Sequence, residues 1–292
     1  MSYIPTILEN CSTLKLPNNW TIQGYSKAGI RTGFLLEPLH IMLDIGLTTY
    51  TSPNAVFLTH MHIDHSLCIP ETFLISSFVN RNKKQKSFIF SINDIEPVSN
   101  YLTVALDLAR GKINYCDDHN KDIWTSTHTT PLCVDVNDII QIDTPIGNVS
   151  VEVLQCYHDT SSVGYGFSTV TKKLKNEYIG LSEAYIIELK NSGVDITENV
   201  SNNQLVFYGD TKIKALTDHD EWKKYKIIIF ESTIFKSRKL SPHCNDHTHW
   251  LEILGVIKQN PNNYFVLIHT TQSANNDFLN DLMEQHKDIQ NF

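Results

Sequence analysis

The chain is predicted to be an α/β protein built in layers, and three observations predict it. Short apolar runs rich in β-branched and aromatic residues recur along the sequence. Longer amphipathic stretches lie between several of them. No internal repeat, low-complexity tract or proline- and glycine-rich linker divides the 292 residues. Sheets covered by helices on their outer faces accommodate this alternation. A hydrophobic content of 41% with 19% charged residues suits one globular domain spanning 1–292.

Taken in chain order, the strand-like runs are residues 32–36, 41–43, 56–58, 88–92, 149–154, 205–208, 227–230 and 264–268. Helical spacing covers 70–79, 96–110, 249–258 and 276–286. Two basic segments, 80–86 and 172–178, read as surface excursions, the second within an expected projection over 170–200.

A formal charge of -8 argues against a protein that coats nucleic acid non-specifically, which needs a broad cationic surface. A local lysine patch can still steer RNA. Cys11, Cys68, Cys116, Cys133, Cys156 and Cys244 show no C-x-x-C or framework spacing, so reduced thiols are expected rather than a disulfide scaffold. The first residues lack a basic segment followed by an apolar one, and no stretch approaches the ~20 apolar residues of a membrane helix. A soluble, cytoplasmic protein with no membrane partner is the expectation, the nucleus being an open alternative.

The chemistry concentrates in Thr59-His60-Met61-His62-Ile63-Asp64-His65, directly after the apolar run 55–58. Imidazole nitrogen and carboxylate oxygen are zinc donors, and a strand ending in such a cluster delivers them to one place. Further donors follow other strands by one or two residues: His158 after 151–156, Asp210 after 205–208, and His269 after 264–268. Asp44 obeys the rule near the amino terminus.

Asp44, His60-x-His62-x-Asp64-His65, His158, Asp210 and His269 together resemble the ordered motifs of the metallo-β-lactamase superfamily. The resemblance implies a four-layer αββα sandwich around two zinc ions per subunit, for which manganese or another divalent metal can substitute. By the family pattern His60, His62 and His158 hold one metal. Asp64, His65 and His269 hold the other, Asp210 bridges both, and Asp44 orders the cluster by hydrogen bonds.

Further segments resemble one branch, the short-form tRNase Z (ribonuclease Z) of plants. They are His158-Asp159-Thr160-Ser161-Ser162-Val163-Gly164-Tyr165, the string from Lys173 to Ser182, and Ser192-Gly193-Val194-Asp195-Ile196-Thr197. Glu231-Ser232-Thr233 and Asp246-His247-Thr248-His249 are similar to two other elements of that family. What the resemblance implies is removal of 3′ trailers from precursor tRNA by hydrolysis after the discriminator base, with Asp64, Glu231 and His247 as catalytic groups. Lys172, Lys173 and Lys175 then fall where the family carries its RNA-gripping arm, and a homodimer is implied. The alternatives are a hydrolase of the same fold acting on another phosphodiester or ester, and a zinc-containing RNA-binding protein without turnover. Two departures stand out. His269 is followed by Thr270-Thr271-Gln272-Ser273-Ala274 rather than the family's Phe-Ser-x-Arg-Tyr, and Phe230 stands where many members have histidine.

Overall fold

The structure, a computed structural model, describes residues 11–47, 53–73, 86–109, 111, 123–124, 129–235 and 246–292. Two mixed sheets carry the chain. The first has seven strands in sequence order: β1 (Thr13–Lys15), β2 (Thr21–Lys27), β3 (Arg31–Glu37), β4 (Ile41–Ile45), β5 (Ala55–Phe57), β6 (Lys86–Ser91) and β7 (Thr129–Val134). The second has six: β8 (Ile139–Thr144), β9 (Gly147–Gln155), β10 (Val163–Leu174), β11 (Thr197–Phe207), β12 (Ile227–Glu231) and β13 (Tyr264–Ile268). Each sheet begins as an antiparallel meander and turns parallel, from β4 onward in the first and from β11 onward in the second.

Parallel neighbours need crossover connections, and these bring the helices onto the outer faces. All the named helices, in chain order and including α3 between antiparallel β10 and β11 and α6 after β13, are α1 (Ile63–Ser66), α2 (Ile95–Ala109), α3 (Glu183–Asn191), α4 (Lys214–Thr217), α5 (Trp250–Gln259) and α6 (Asn276–Gln285). Strand alternation sorts the apolar side chains into three buried layers. Between the sheets, Ile41, Leu43 and Phe57 meet Val151, Tyr165, Phe207, Ile227 and Ile229. Outside the first sheet, Met42, Val56 and Phe88 pack on Val98, Leu102 and Leu106 of α2. Outside the second, Val206, Ile228 and Phe230 pack on Trp250, Ile253 and Ile257 of α5. This is the four-layer αββα arrangement expected from the motifs.

Phe230 belongs to that outer layer, with its ring edge-on to Tyr208 at 5.4 Å. The departure at this position therefore faces away from the inter-sheet side, which its neighbour Glu231 shares with Ile229. Helix α5 starts one residue after the predicted His249, because His249 caps it: its Nδ1 accepts from the Leu251 N–H and its own N–H donates to Glu252. That role makes His249 structural.

The expected projection over 170–200 takes a definite form. Strands β10 and β11 leave the core together, their inner halves buried and their outer halves exposed, with Lys172 facing Asn199 and Lys173 facing Glu198 in register. A 3₁₀ turn (Asn176–Tyr178) and α3 close the tip. The sequence reading missed α3, which buries no residue and so has no apolar stripe to betray it. It also missed β10, whose Gly164 and Gly166 interrupt the apolar pattern. The predicted helix 70–79 is helical over 70–73, and the rest, like the basic segment 80–85, lies outside the described residues. Among the described residues Cys133 and Cys156 are free thiols. No described helix is long and apolar enough to cross a membrane.

Candidate metal centre

The carboxyl ends of β4, β5, β9, β11, β12 and β13 converge, and the predicted donors meet there. Asp44, the last residue but one of β4, has φ of 53°, a left-handed conformation that a non-glycine residue adopts at a cost of about 1–3 kcal/mol. It is fully buried. Its carboxylate accepts from the Thr59 N–H at 2.7 Å, from the Thr59 hydroxyl at 3.0 Å, and from His65 Nδ1 at 2.7 Å. The last contact fixes the His65 tautomer and turns Nε2 inward. Thr59 also contacts Nδ1 of His60 at 3.0 Å, so that ring too presents Nε2 to the centre.

The seven predicted donors fall in two groups that share a wall, and Asp210, His247 and His269 form a third, overlapping group. His60, His62, His158 and Asp210 offer atoms within 4.8 Å of one another, as do Asp64, His65 and His269. Asp210 stands between them, with Oδ2 3.9 Å from His60 Nε2 and Oδ1 3.4 Å from His65 Nε2 and 3.2 Å from His269 Nδ1. Within the first group His158 Nε2 lies 3.2 Å from His62 Nδ1. Within the second, Asp64 Oδ2 is 3.3 Å from His269 Nε2 and accepts the Gly29 N–H at 2.9 Å.

The donor set fits a pair of divalent ions. His60 Nε2, His65 Nε2 and Asp210 Oδ1 are buried and have no hydrogen-bond partner. Buried polar atoms are almost always paired, so three orphans aimed at one spot indicate a ligand. Burial first, then the neighbouring His65, keeps His60 well below its ordinary pKa and therefore neutral, the form that coordinates. His65 behaves otherwise. Burial would lower it, but Asp210 and Asp44 outweigh that and raise it well above the usual value.

Beside the donors lies a charge pair. Glu231 is fully buried and accepts from four groups: Thr211 N–H at 2.7 Å, Thr248 N–H at 3.2 Å, Thr233 hydroxyl at 2.5 Å and His247 Nδ1 at 3.0 Å. Burial disfavours charge on His247, but Glu231, helped by Asp210 and Asp159, more than compensates and lifts it to about 9. The His247 ring stacks on His269 at 5.6 Å and meets His158 edge-on at 5.1 Å, so its free nitrogen is set among the donors. A carboxylate that holds an imidazolium beside a metal cluster can supply a proton.

All sequence-predicted donors are thus brought together, with Asp44, Glu231 and His247 against them. Lys172, Lys173 and Lys175 are not: they lie on the projecting ribbon. Lys175 donates to the Asp195 carbonyl and ties the ribbon's two sides. The segment 170–200 carries four lysines against five carboxylates, so its basic character is confined to one end. Sequence reasoning missed Thr59, Gly29, Thr233 and Asp159. Thr59 abuts the first histidine and could have been flagged. Gly29 and Thr233 act through a backbone N–H and a hydroxyl that leave no chemical signature in the sequence. Lys27 stands near the unusual segment after His269, donating to Thr270 Oγ1 and the Ala274 carbonyl.

No family model matches the chain. Among curated proteins, tRNase Z TRZ1 of Arabidopsis thaliana is 28% identical over 256 residues, 86% of this chain and 85% of that protein. The chloroplastic tRNase Z TRZ2 of the same plant is 25% identical over 81% of this chain and 63% of its own length. A nuclear ribonuclease Z of Triticum aestivum is 24% identical over 62% of this chain and 94% of its own length. Of solved structures, the metallo-β-lactamase fold protein YhfI from Bacillus subtilis superposes with a TM-score of 0.55 at 13% identity, covering 91% of this chain and 92% of that one. The short form of human tRNase Z gives 0.51 at 12% identity, covering 87% and 93%. The chain has the metallo-β-lactamase fold, and the resemblance read from its motifs is to the proteins that the sequence comparison returns.

Close backbone approach holds the centre together. A Cβ on Gly46 would lie 1.8 Å from the Asp64 carbonyl oxygen and 2.7 Å from that of Thr32, and one on Gly209 would lie 2.2 Å from Thr59 Oγ1. Backbone cannot yield as a side-chain tip can. Gly46→Ala is expected to destabilise the protein by about 1–3 kcal/mol or more, measured by chemical denaturation. An unchanged midpoint would contradict the packing of α1 against β4.

Proposed function

We propose that this chain, a metallo-β-lactamase-fold protein whose curated relatives are tRNase Z proteins, is a zinc-dependent endoribonuclease that removes 3′ trailers from precursor tRNA. It is a metal-dependent hydrolase, and the bond cut is the phosphodiester after the discriminator base. The observation that carries this reading is the pair of donor groups meeting on Asp210 with the Glu231–His247 pair beside them.

His60, His62 and His158 would hold one ion, Asp64, His65 and His269 the other, and Asp210 would contact both. A pair of divalent ions supplies positive charge to offset the phosphodiester and makes water more acidic. The chain's own groups do the rest. Asp64, oriented by the Gly29 N–H, positions the attacking water and can take its proton. Water attacks phosphorus in line with O3′, and the P–O3′ bond breaks. His247 gives its proton to the departing O3′ while Glu231 steadies the ring through Nδ1. The products are a tRNA with a 3′ hydroxyl and a trailer with a 5′ phosphate.

Substrate grip is assigned to the ribbon. Folded RNA is bound largely through shape and phosphates, and Lys172 and Lys173 lie on the exposed half of β10. Exposed Ile179, Tyr185 and Ile187 add apolar surface at its tip. A homodimer in the cytoplasm, with one subunit's ribbon reaching toward RNA at the other, completes the reading.

The direct test is incubation of the zinc-loaded protein with a precursor tRNA bearing a 3′ trailer, beside Asp64→Ala. A cut after the discriminator base, absent from the control, is expected. Cleavage of bis(p-nitrophenyl) phosphate alone would instead favour another phosphodiester, and tight RNA binding without any cut would favour a silent binder. His247→Ala is expected to keep its metal and lose roughly 10²–10⁴-fold in cleavage rate; normal turnover would remove His247 from the mechanism. For the ribbon, Lys172→Ala with Lys173→Ala should weaken precursor binding and lower the salt-dependence slope by roughly 1 per lysine. Unchanged affinity and slope would move the RNA site elsewhere.

A further inference from the structure

Asp159 follows His158 and belongs to neither donor group, yet its carboxylate reaches the first of them. Its Oδ1 is 3.2 Å from His158 Nε2 and 3.6 Å from His62 Nε2. Both are ion-pair contacts that lack hydrogen-bond alignment. Two ligand atoms each about 2.0–2.2 Å from one zinc ion stand roughly 3 Å apart, which is the separation between Asp159 Oδ1 and His158 Nε2, and equally between His158 Nε2 and His62 Nδ1. Asp159 Oδ1 and His158 Nε2 therefore have the spacing of neighbours around one ion, while the approach of Asp159 to His62 is to the other ring nitrogen, Nε2. His158 is otherwise committed on its far side, where Nδ1 contacts the Asp246 carbonyl at 3.1 Å, so Nε2 is free to coordinate.

Of the two carboxylates near this ion, accessibility distinguishes Asp159. Its side chain is 45% exposed while that of Asp210 is 3% exposed. A buried ligand is fixed; one at the mouth can leave. Charge makes this consequential. Three neutral imidazoles and Asp210 leave a divalent ion with one net positive charge, and a second carboxylate removes it.

We propose that Asp159 is an exchangeable additional ligand of the ion held by His60, His62 and His158, occupying its solvent-facing position until an anionic phosphodiester displaces it. This rests on the metal-dependent reading above. Asp159 raises affinity for the ion and competes with substrate for the same position. It thus sets both how tightly the centre keeps its metal and how readily it opens.

The test uses the full chain stripped with chelator and titrated with zinc against a chromophoric chelator, beside Asp159→Ala and Asp159→Glu. The expected result is two ions for the unsubstituted chain. In Asp159→Ala one affinity falls by roughly ten- to a hundred-fold while the other is unchanged, and Asp159→Glu recovers part of the loss. Cobalt(II) loaded into the same site should absorb more strongly in the alanine variant, because cobalt(II) absorption rises as coordination number falls. Equal zinc affinities and identical cobalt spectra would overturn the role of Asp159 and leave the dinuclear centre standing. Failure of the unsubstituted chain to bind any ion would overturn the centre itself, and this proposal with it.

Discussion

The Asp44 carboxylate is the contact on which the rest of the centre depends. A fully buried charge is tolerated only when donors surround it, and here the donors are the backbone and hydroxyl of Thr59 and the ring of His65. Those bonds tie the end of β4 to the end of β5 and to α1. They also choose the tautomer of His65 and, through Thr59, orient His60. Reaching this position requires a left-handed backbone at Asp44. His269 at the other end of the chain shows the same conformation, with φ of 59°. Strained backbone at two site residues persists because the surrounding hydrogen bonds over-determine it.

The two sheets contribute different chemistry. The first delivers His60, His62, Asp64 and His65 from one short segment after β5, and the second delivers His158, Asp210, Glu231 and His269 from four strand ends. Neither half is a site alone. Tyr165 from the second sheet donates to the Leu58 carbonyl of the first at 2.6 Å, and the Val163 N–H donates to the Thr59 carbonyl at 3.0 Å. The centre is thus assembled by the same inter-sheet packing that forms the main core. Glu231 extends the logic: four donors satisfy it, so it serves as a fixed negative charge for His247.

Much of this was legible in the sequence, for a physical reason. One polar residue just after an apolar strand is more often structural than ligating, but repetition of that pattern in His158, Asp210 and His269, in agreement with the cluster at 60–65, disclosed the centre. The layers were legible because buried strands read as near-continuous apolar runs, as in 227–230. What escaped was whatever depends on orientation. Nothing in the spacing says that Phe230 faces the outer helices, that Gly29 offers its N–H to Asp64, or that Asp159 turns back toward His62 and His158. The ribbon was foreseen as an excursion, but its helix was not. The balance of charge along it became meaningful only once Lys173 was seen opposite Glu198.

The central claim is that these residues form a two-ion centre rather than a network of buried ion pairs. Anomalous diffraction from crystals grown with zinc tests it most directly. Two peaks are predicted, about 3.5–4 Å apart, one among His60, His62 and His158, the other among Asp64, His65 and His269, with Asp210 between them. A map with no peak at the cluster, and His65 bridging Asp44 and Asp210 without an ion, would contradict the account.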